Sequence, residues 1–198
     1  MSEIVREGYQ EIAGAFDEWK GRIIDDPRQD WRIDLERRLP DGARVLELGC
    51  GSGEDARALA QRFRVTGVDI SSAQLALAHG VDVIEADFTQ LELPDASYDA
   101  VVSFYALNHV PREQLPPLLS RIARWLAPGG WFMAAFGVGD TEAWVGDWLD
   151  TTMFFSSWPR ETNSRLVAEA GLSIVRDEVV RFREPEGEVE FQWILARA

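Results

Sequence analysis

A chain of 198 residues is long enough for one domain with a substantial core, and its 46% hydrophobic and 27% charged residues are ordinary for a globular protein. The net charge of −14 argues against nucleic-acid and anionic-membrane partners, because such a surface repels phosphates. One cysteine excludes an internal disulfide framework, and together with only two histidines it disfavours a metal site. With no leader pattern and no long apolar run, we expect a cytoplasmic protein.

Residues 1–40 predict a helical N-terminal cover. Apolar side chains recur there at heptad-like spacing, while Gly8, Gly14 and Gly21 weaken the helix by about 1 kcal/mol each. An amphipathic helix loosened in this way suits a segment that opens. For Ile12 and Phe16 we expect packing in the core.

Residues 41–137 alternate strand and helix patterns. Strands are predicted at 44–48, 64–69, 81–85, 98–104 and 131–136, and helices at 54–63, 72–79 and 115–126. Ser71 is a candidate helix cap. This alternation predicts a parallel sheet with helices on both faces.

An aromatic stretch, residues 138–160, interrupts the alternation. Trp144 and Trp148 are four residues apart and would share one face of a helix. We interpret the stretch as a lid that lines an acceptor pocket, and the alternative is that its aromatic residues pack onto the sheet as core. For Phe155 we expect the core.

Residues 161–198 predict one helix, at 161–170, and two strands, at 172–180 and 188–196. The connection "EPEGE" is too short for a crossover helix. The two strands must therefore form an antiparallel hairpin.

The segment "VLELGCGSGEDARALA", residues 45–60, carries three glycines at alternate positions between a strand and a helix. Glu54 and Asp55 stand where a P-loop needs Lys and Ser or Thr, so a P-loop is excluded. Residues 51–56 satisfy the dinucleotide pattern G-x-G-x-x-A, and Asp69 follows at suitable spacing. The acidic residues near the turn favour a positive ligand without phosphate over a pyrophosphate, unless Glu54 and Asp55 merely complement the helix dipole.

Five segments, in order, resemble the motifs of the class I S-adenosylmethionine-dependent methyltransferases. They are "ELGCGSG", "VTGVDIS", "EADF", "YDAVVSFYALNHV" and "LAPGGWF", and they span most of the chain. The resemblance implies a Rossmann-like α/β fold, with seven strands in a mostly parallel sheet whose last strand is antiparallel. It also implies S-adenosylmethionine as the cofactor.

The resemblance further implies which residues bind the cofactor. Asp69 would accept both ribose hydroxyls, Asp87 would accept from the adenine amino group, and Phe88 would lie beside the adenine ring. The full candidate set is Glu47, Gly49, Cys50, Gly51, Gly53, Asp69, Ile70, Asp87, Phe88, Phe104 and Tyr9.

The acceptor side is less specified. His109 and Tyr105 follow the fourth strand and are the candidate catalytic residues, although a structural role for His109 is the stronger interpretation. Trp144, Trp148 and Trp19 are the candidate acceptor-pocket residues.

The sequence therefore predicts transfer of a methyl group to an O or N atom of a small molecule, by a monomer or homodimer without a metal ion. A binding module that performs no transfer and an NAD-dependent oxidoreductase are the alternatives.

Overall fold

A computed structural model describes residues 1–198. The helices are α1 (Ser2–Lys20), α2 (Arg28–Glu36), α3 (Glu54–Leu59), α4 (Ser72–Leu75), α5 (Leu115–Trp125) and α6 (Arg160–Glu169). The strands are β1 (Arg44–Leu48), β2 (Arg64–Asp69), β3 (Asp82–Glu85), β4 (Tyr98–Ser103), β5 (Leu126–Gly137), β6 (Thr141–Trp148), β7 (Thr151–Ser157), β8 (Ser173–Glu184) and β9 (Gly187–Arg197). None of the helices combines the length and the apolar composition that crossing a membrane requires.

Seven strands form one sheet in the order β3-β2-β1-β4-β5-β9-β8. The five strands from β3 to β5 run parallel, whereas β9 is antiparallel to both of its neighbours. The predicted fold class and the predicted C-terminal hairpin are thus confirmed. Because β8 and β9 run in opposite directions, β8 points the same way as the parallel strands.

The sheet separates two cores, as strand periodicity requires. Val45 of β1 packs with Trp31, Leu35 and Leu59 on the face covered by α2 and α3. The next residue, Leu46, belongs to the other core, which α5 and α6 cover. Of the predicted N-terminal cover, residues 1–40, only α1 therefore lies over the edge of the sheet. The second helix, α2, packs onto a face of the sheet.

The N-terminal helix α1 contacts β7 and α4. A Cβ at Gly8 would lie 2.7 Å from Met153 Cε, so Gly8 permits a close approach to β7 instead of loosening the helix there. Ile12 is buried with Met153 and Phe154, as expected for a core residue.

The predicted helix across Trp144 and Trp148 is wrong, since β6 and β7 pair as an antiparallel hairpin. Its two-residue connection, Leu149 and Asp150, has positive φ at both positions, which matches the twist of paired strands. Residues four apart also share a face in a strand, so the spacing of the two tryptophans did not distinguish the alternatives.

Candidate active site

The glycine turn after β1 places bare backbone against the loop after β4. Gly49 has φ +74°, and a Cβ there would lie 2.2 Å from the Ala106 Cβ. No other residue type fits that position, because any side chain would meet Ala106 and strain the backbone.

Asp69, at the end of β2, holds the far side of this turn. Its carboxylate accepts hydrogen bonds from the Gly51 N–H at 2.8 Å and the Ser71 N–H at 2.9 Å. Burial raises the pKa of Asp69, and these backbone donors oppose the rise. A carboxylate has about four acceptor positions, so Asp69 keeps capacity for a ligand.

Two buried polar side chains beside the turn lack partners. Glu47 is 2% exposed and its Oε2 accepts no hydrogen bond, while both polar atoms of the Gln74 amide are unpaired. Burial, followed by the charge of Asp55, raises the pKa of Glu47 well above its usual range. Unpaired buried polar groups cost stability, which is typical of sites that wait for a ligand.

Asp55 does not face the turn as an uncompensated charge. Its two oxygens lie 3.2 Å from Arg28 Nη1 and 3.0 Å from Arg32 Nη1. Asp55 therefore anchors α2, and its charge gives less support than expected for a positive ligand over a pyrophosphate. Glu54 is exposed.

Asp87 lies just beyond β3, the neighbour of β2. Its Oδ1 accepts hydrogen bonds from the Thr89 N–H and hydroxyl, at 2.8 and 2.6 Å. Its second oxygen takes no part in these bonds. Phe88 follows it and lies near Gly49. Asp69 and Asp87 therefore present carboxylate oxygens from adjacent strand ends.

A single cavity of about 270 Å³ joins this edge of the sheet to the inner face of α1 and the β6–β7 hairpin. All of the candidate cofactor residues line it except Gly53, which caps α3. His109, Tyr105, Trp19 and Trp148 line it too. Trp144 does not: it is 41% exposed and packs on Phe155 from outside.

Aromatic rings form the wall of this cavity opposite the glycine turn. Phe16 stacks on Trp19 with 5.7 Å between ring centroids, and Trp148 meets the edges of both at 5.8 and 5.4 Å. Phe16 thus lines the cavity and also packs, as predicted, against a small core cluster that contains Ile12 and Met153.

Polar contacts tie α1 down at several points. The Gln10 side-chain oxygen accepts from the Ala73 N–H of α4 at 3.2 Å, and the Ser52 hydroxyl of the glycine turn donates to Asp17 at 2.8 Å. These partners lie around the cavity. The segments that surround the cavity therefore hold in place the helix that closes it.

A further contact of α1 involves His109. Its Nδ1 lies 2.8 Å from the Phe154 carbonyl oxygen, which can only accept, so Nδ1 carries the proton. Nε2 then accepts from the Tyr9 hydroxyl at 2.9 Å. Burial lowers the pKa of His109 to about 4, which keeps the ring neutral.

Tyr105 is held differently. Its hydroxyl donates to Asp26 at 2.8 Å, and its backbone adopts φ +64°. Burial, followed by the charge of Asp26, raises the pKa of Tyr105. The hydroxyl is therefore a protonated donor whose hydrogen is already engaged.

Residues 45–130 match the family model described as a methyltransferase domain. The fatty-acid O-methyltransferase of Mycolicibacterium smegmatis is 35% identical over 102 residues, which cover 47% of this chain and 36% of that protein. A sterol 24-C-methyltransferase of Gibberella zeae is 32% identical over 145 residues, covering 67% and 35%. The comparisons thus place residues 45–130 in the methyltransferase domain family.

The fold is shared over the whole length of the chain. The 1,6-didemethyltoxoflavin-N1-methyltransferase of Burkholderia thailandensis, solved with 1,6-didemethyltoxoflavin and S-adenosylhomocysteine, superposes with a TM-score of 0.78 at 19% identity, covering 99% of this chain and 88% of that one. The chain nevertheless spans only about a third of the length of the two curated relatives.

Several residues that line the cavity were not predicted as site residues, among them Arg28, Phe155, Glu184 and Phe191. A signal existed for Glu184. It ends β8, which runs parallel to β1–β5, and ligands of such sheets bind at the carboxyl ends of the strands. Arg28 had no comparable signal, since its place depends on how α2 packs.

Proposed function

We propose that this chain transfers a methyl group from S-adenosylmethionine to an O or N atom of a small-molecule acceptor. One observation carries the proposal: the cavity that contains the glycine turn, Asp69 and Asp87 is continuous with an aromatic chamber under α1. A cofactor site and an acceptor site thus share one enclosed space, as direct transfer requires.

The residues at the cofactor end fit this molecule. Glu47, with an unpaired buried Oε2, suits the ammonium group of the methionine part, and a positive neighbour would favour its charged form. The free acceptor positions of Asp69 suit two ribose hydroxyls, and the second oxygen of Asp87 suits the adenine amino group.

When bound, S-adenosylmethionine supplies a methyl group on a positively charged sulfur. A lone pair of the acceptor attacks the methyl carbon in line with the S–C bond, and the sulfur leaves. The chain contributes position and exclusion of water. The Gly49 backbone and the Ala106 loop fix the cofactor end, while Trp19, Trp148 and α1 close the acceptor end.

His109 acts in this scheme through Tyr9. The lone pair of His109 Nε2 is engaged by the Tyr9 hydroxyl, so His109 meets no acceptor directly. Its role is to orient the hydroxyl of Tyr9, a residue that lines the cavity. We therefore assign His109 as a positioning residue.

The named relatives support a small acceptor. The Burkholderia protein is an N1-methyltransferase, the Mycolicibacterium protein a fatty-acid O-methyltransferase and the Gibberella protein a sterol 24-C-methyltransferase, so N, O and C acceptors all occur among similar proteins. A cavity of about 270 Å³ favours a compact acceptor beside the cofactor.

Calorimetry with S-adenosylhomocysteine and with NADH tests the cofactor. We expect micromolar binding of the first and none of the second, and the reverse would make the chain an oxidoreductase. A metabolite library incubated with S-adenosylmethionine then tests transfer, with S-adenosylhomocysteine release as the readout. Binding without release from any compound would favour a binding module.

A further inference from the structure

The cations that line the cavity are both neutralised by the chain itself. Lys20 Nζ lies 2.8 Å from Asp17 Oδ1, and Arg28 is paired with Asp26 at 2.7 Å and Asp55 at 3.2 Å. Neither leaves a free positive charge for a ligand. A carboxylate or phosphate on the acceptor would therefore find no free counter-charge in the protein, which is costly away from water.

Glu184 presents the opposite situation. It ends β8, is half-buried and lines the cavity, yet no side chain or backbone N–H donates to its carboxylate. Burial, together with the charges of Glu186 and Asp26, raises the pKa of Glu184 to about 7. A carboxylate with like-charged neighbours and no cation is stabilised by a positive or hydrogen-donating ligand.

Glu184 is placed on the acceptor side. The backbone of Ile24, just beyond α1, exchanges two hydrogen bonds with Arg183, at 2.9 and 3.2 Å. The neighbouring Glu186 accepts the Trp19 indole N–H at 2.9 Å. The end of β8 therefore sits against the aromatic chamber and away from the strand ends that carry Asp69 and Asp87.

The chamber has the composition that recognises organic cations. Phe16, Trp19 and Trp148 surround one another at 5.4–5.8 Å between centroids. Tyr105 and Phe191 pack edge to face at 4.8 Å on the side of β9. Aromatic faces attract ammonium groups, and a nearby carboxylate strengthens that preference.

We propose that the acceptor is an amine on an aromatic or apolar body, with Glu184 accepting hydrogen bonds from its nitrogen-bearing end and the aromatic chamber holding the rest. The proposal rests on the proposed function and names the acceptor class of the same site. The amine gives its extra proton to solvent before its lone pair forms the N–C bond and the S–C bond breaks.

Three probes that share one body test this class: 2-phenylethylamine, 2-phenylethanol and phenylacetate. Tryptophan fluorescence, with the protein saturated by S-adenosylhomocysteine, measures their binding. We expect the amine to bind at least about tenfold more tightly than phenylacetate, with the alcohol between them. Phenylacetate binding as tightly as the amine, or no probe binding in the millimolar range, would overturn the proposal.

Glu184→Gln supplies the matched variant, since it keeps the shape and removes the charge. It should abolish most of the preference for the amine over the alcohol and leave binding of the alcohol unchanged. Glu188→Gln removes the same charge from an exposed position of the same hairpin and should change neither. Equal effects of both variants would show that net charge, and not Glu184, sets the preference.

The proposed function and the amine class can be disproved separately. If S-adenosylhomocysteine does not bind, the proposed function is wrong. If it binds and the order of the probes is reversed, only the amine class is wrong.

Discussion

The Tyr9 hydroxyl donates to His109 Nε2 across 2.9 Å, and this contact joins the N-terminal helix to the loop after β4. His109 in turn donates to the Phe154 carbonyl of β7. Three separate segments thus meet at one neutral imidazole. The placement of α1 over the cavity depends on that ring.

Tyr9→Phe should lower the free energy of unfolding by about 1–3 kcal/mol, because it leaves the buried Nε2 of His109 without a donor. Amide hydrogen exchange should also rise along α1, which the contact holds in place. Tyr98→Phe is the matched control, since Tyr98 lies at the amino end of β4, whereas His109 follows the carboxyl end of that strand. Unchanged exchange in α1 would show that its other polar contacts suffice.

The lowered pKa of His109 predicts a pH dependence of stability. With a pKa of about 4 in the folded protein, against 6.5 for the free side chain, the unfolded chain binds more protons in between. Stability is therefore lost as pH falls through this window, by about 2 kcal/mol at pH 5.

His109→Gln isolates that contribution. Between pH 7 and pH 5 the wild type should lose about 2 kcal/mol more stability than the variant, measured by denaturant unfolding. The raised pKa values of Glu184 and Asp69 act in the opposite direction, but they are common to both proteins and cancel in the difference. Equal slopes would place a proton on His109 in the folded state.

Asp69→Asn should weaken S-adenosylhomocysteine binding at least about tenfold, since an amide replaces one oxygen acceptor by a donor. Because Asp69 also holds the Gly51 and Ser71 N–H groups, some stability should be lost too. Asp82→Asn, an exposed change at the amino end of the neighbouring strand β3, is the control for calorimetry. Full affinity in Asp69→Asn would place the ribose elsewhere.

Trp148→Ala and Trp144→Ala form a natural pair on one strand. Trp148 lines the cavity, so its loss should raise the acceptor KM about tenfold and leave S-adenosylhomocysteine affinity within a few-fold. Trp144 is largely outside, and its loss should change neither. Steady-state kinetics decides, and equal KM values for the two variants would remove Trp148 from the acceptor site.

The sheet could be predicted because its strands are short β-branched runs that alternate with helical periodicity, and because "EPEGE" permits only a hairpin. The β6–β7 hairpin could not, since both periodicities place Trp144 and Trp148 on one face. What decides it is the positive φ of Leu149 and Asp150; aspartate adopts that conformation more readily than most residues, but leucine gives no signal of it.

The cofactor half of the site was foreseeable from strand ends and glycines, which leave local signals. The acceptor half was not. Phe16 was assigned to the core alone because an apolar helical stripe looks the same whether it faces packed side chains or a cavity. The pairing of Asp55 with Arg28 joins residues 27 positions apart and has no signature in either segment.

The close approach of Gly49 to Ala106 has a consequence for re-engineering. It holds the glycine turn after β1 against the loop after β4 with no side chain larger than a methyl group between them. Under the proposed function, specificity would reside in α1, the β6–β7 hairpin and the tip of β8, which line the cavity away from this contact. We expect that these three elements can be diversified together while the spacing of the two loops is kept.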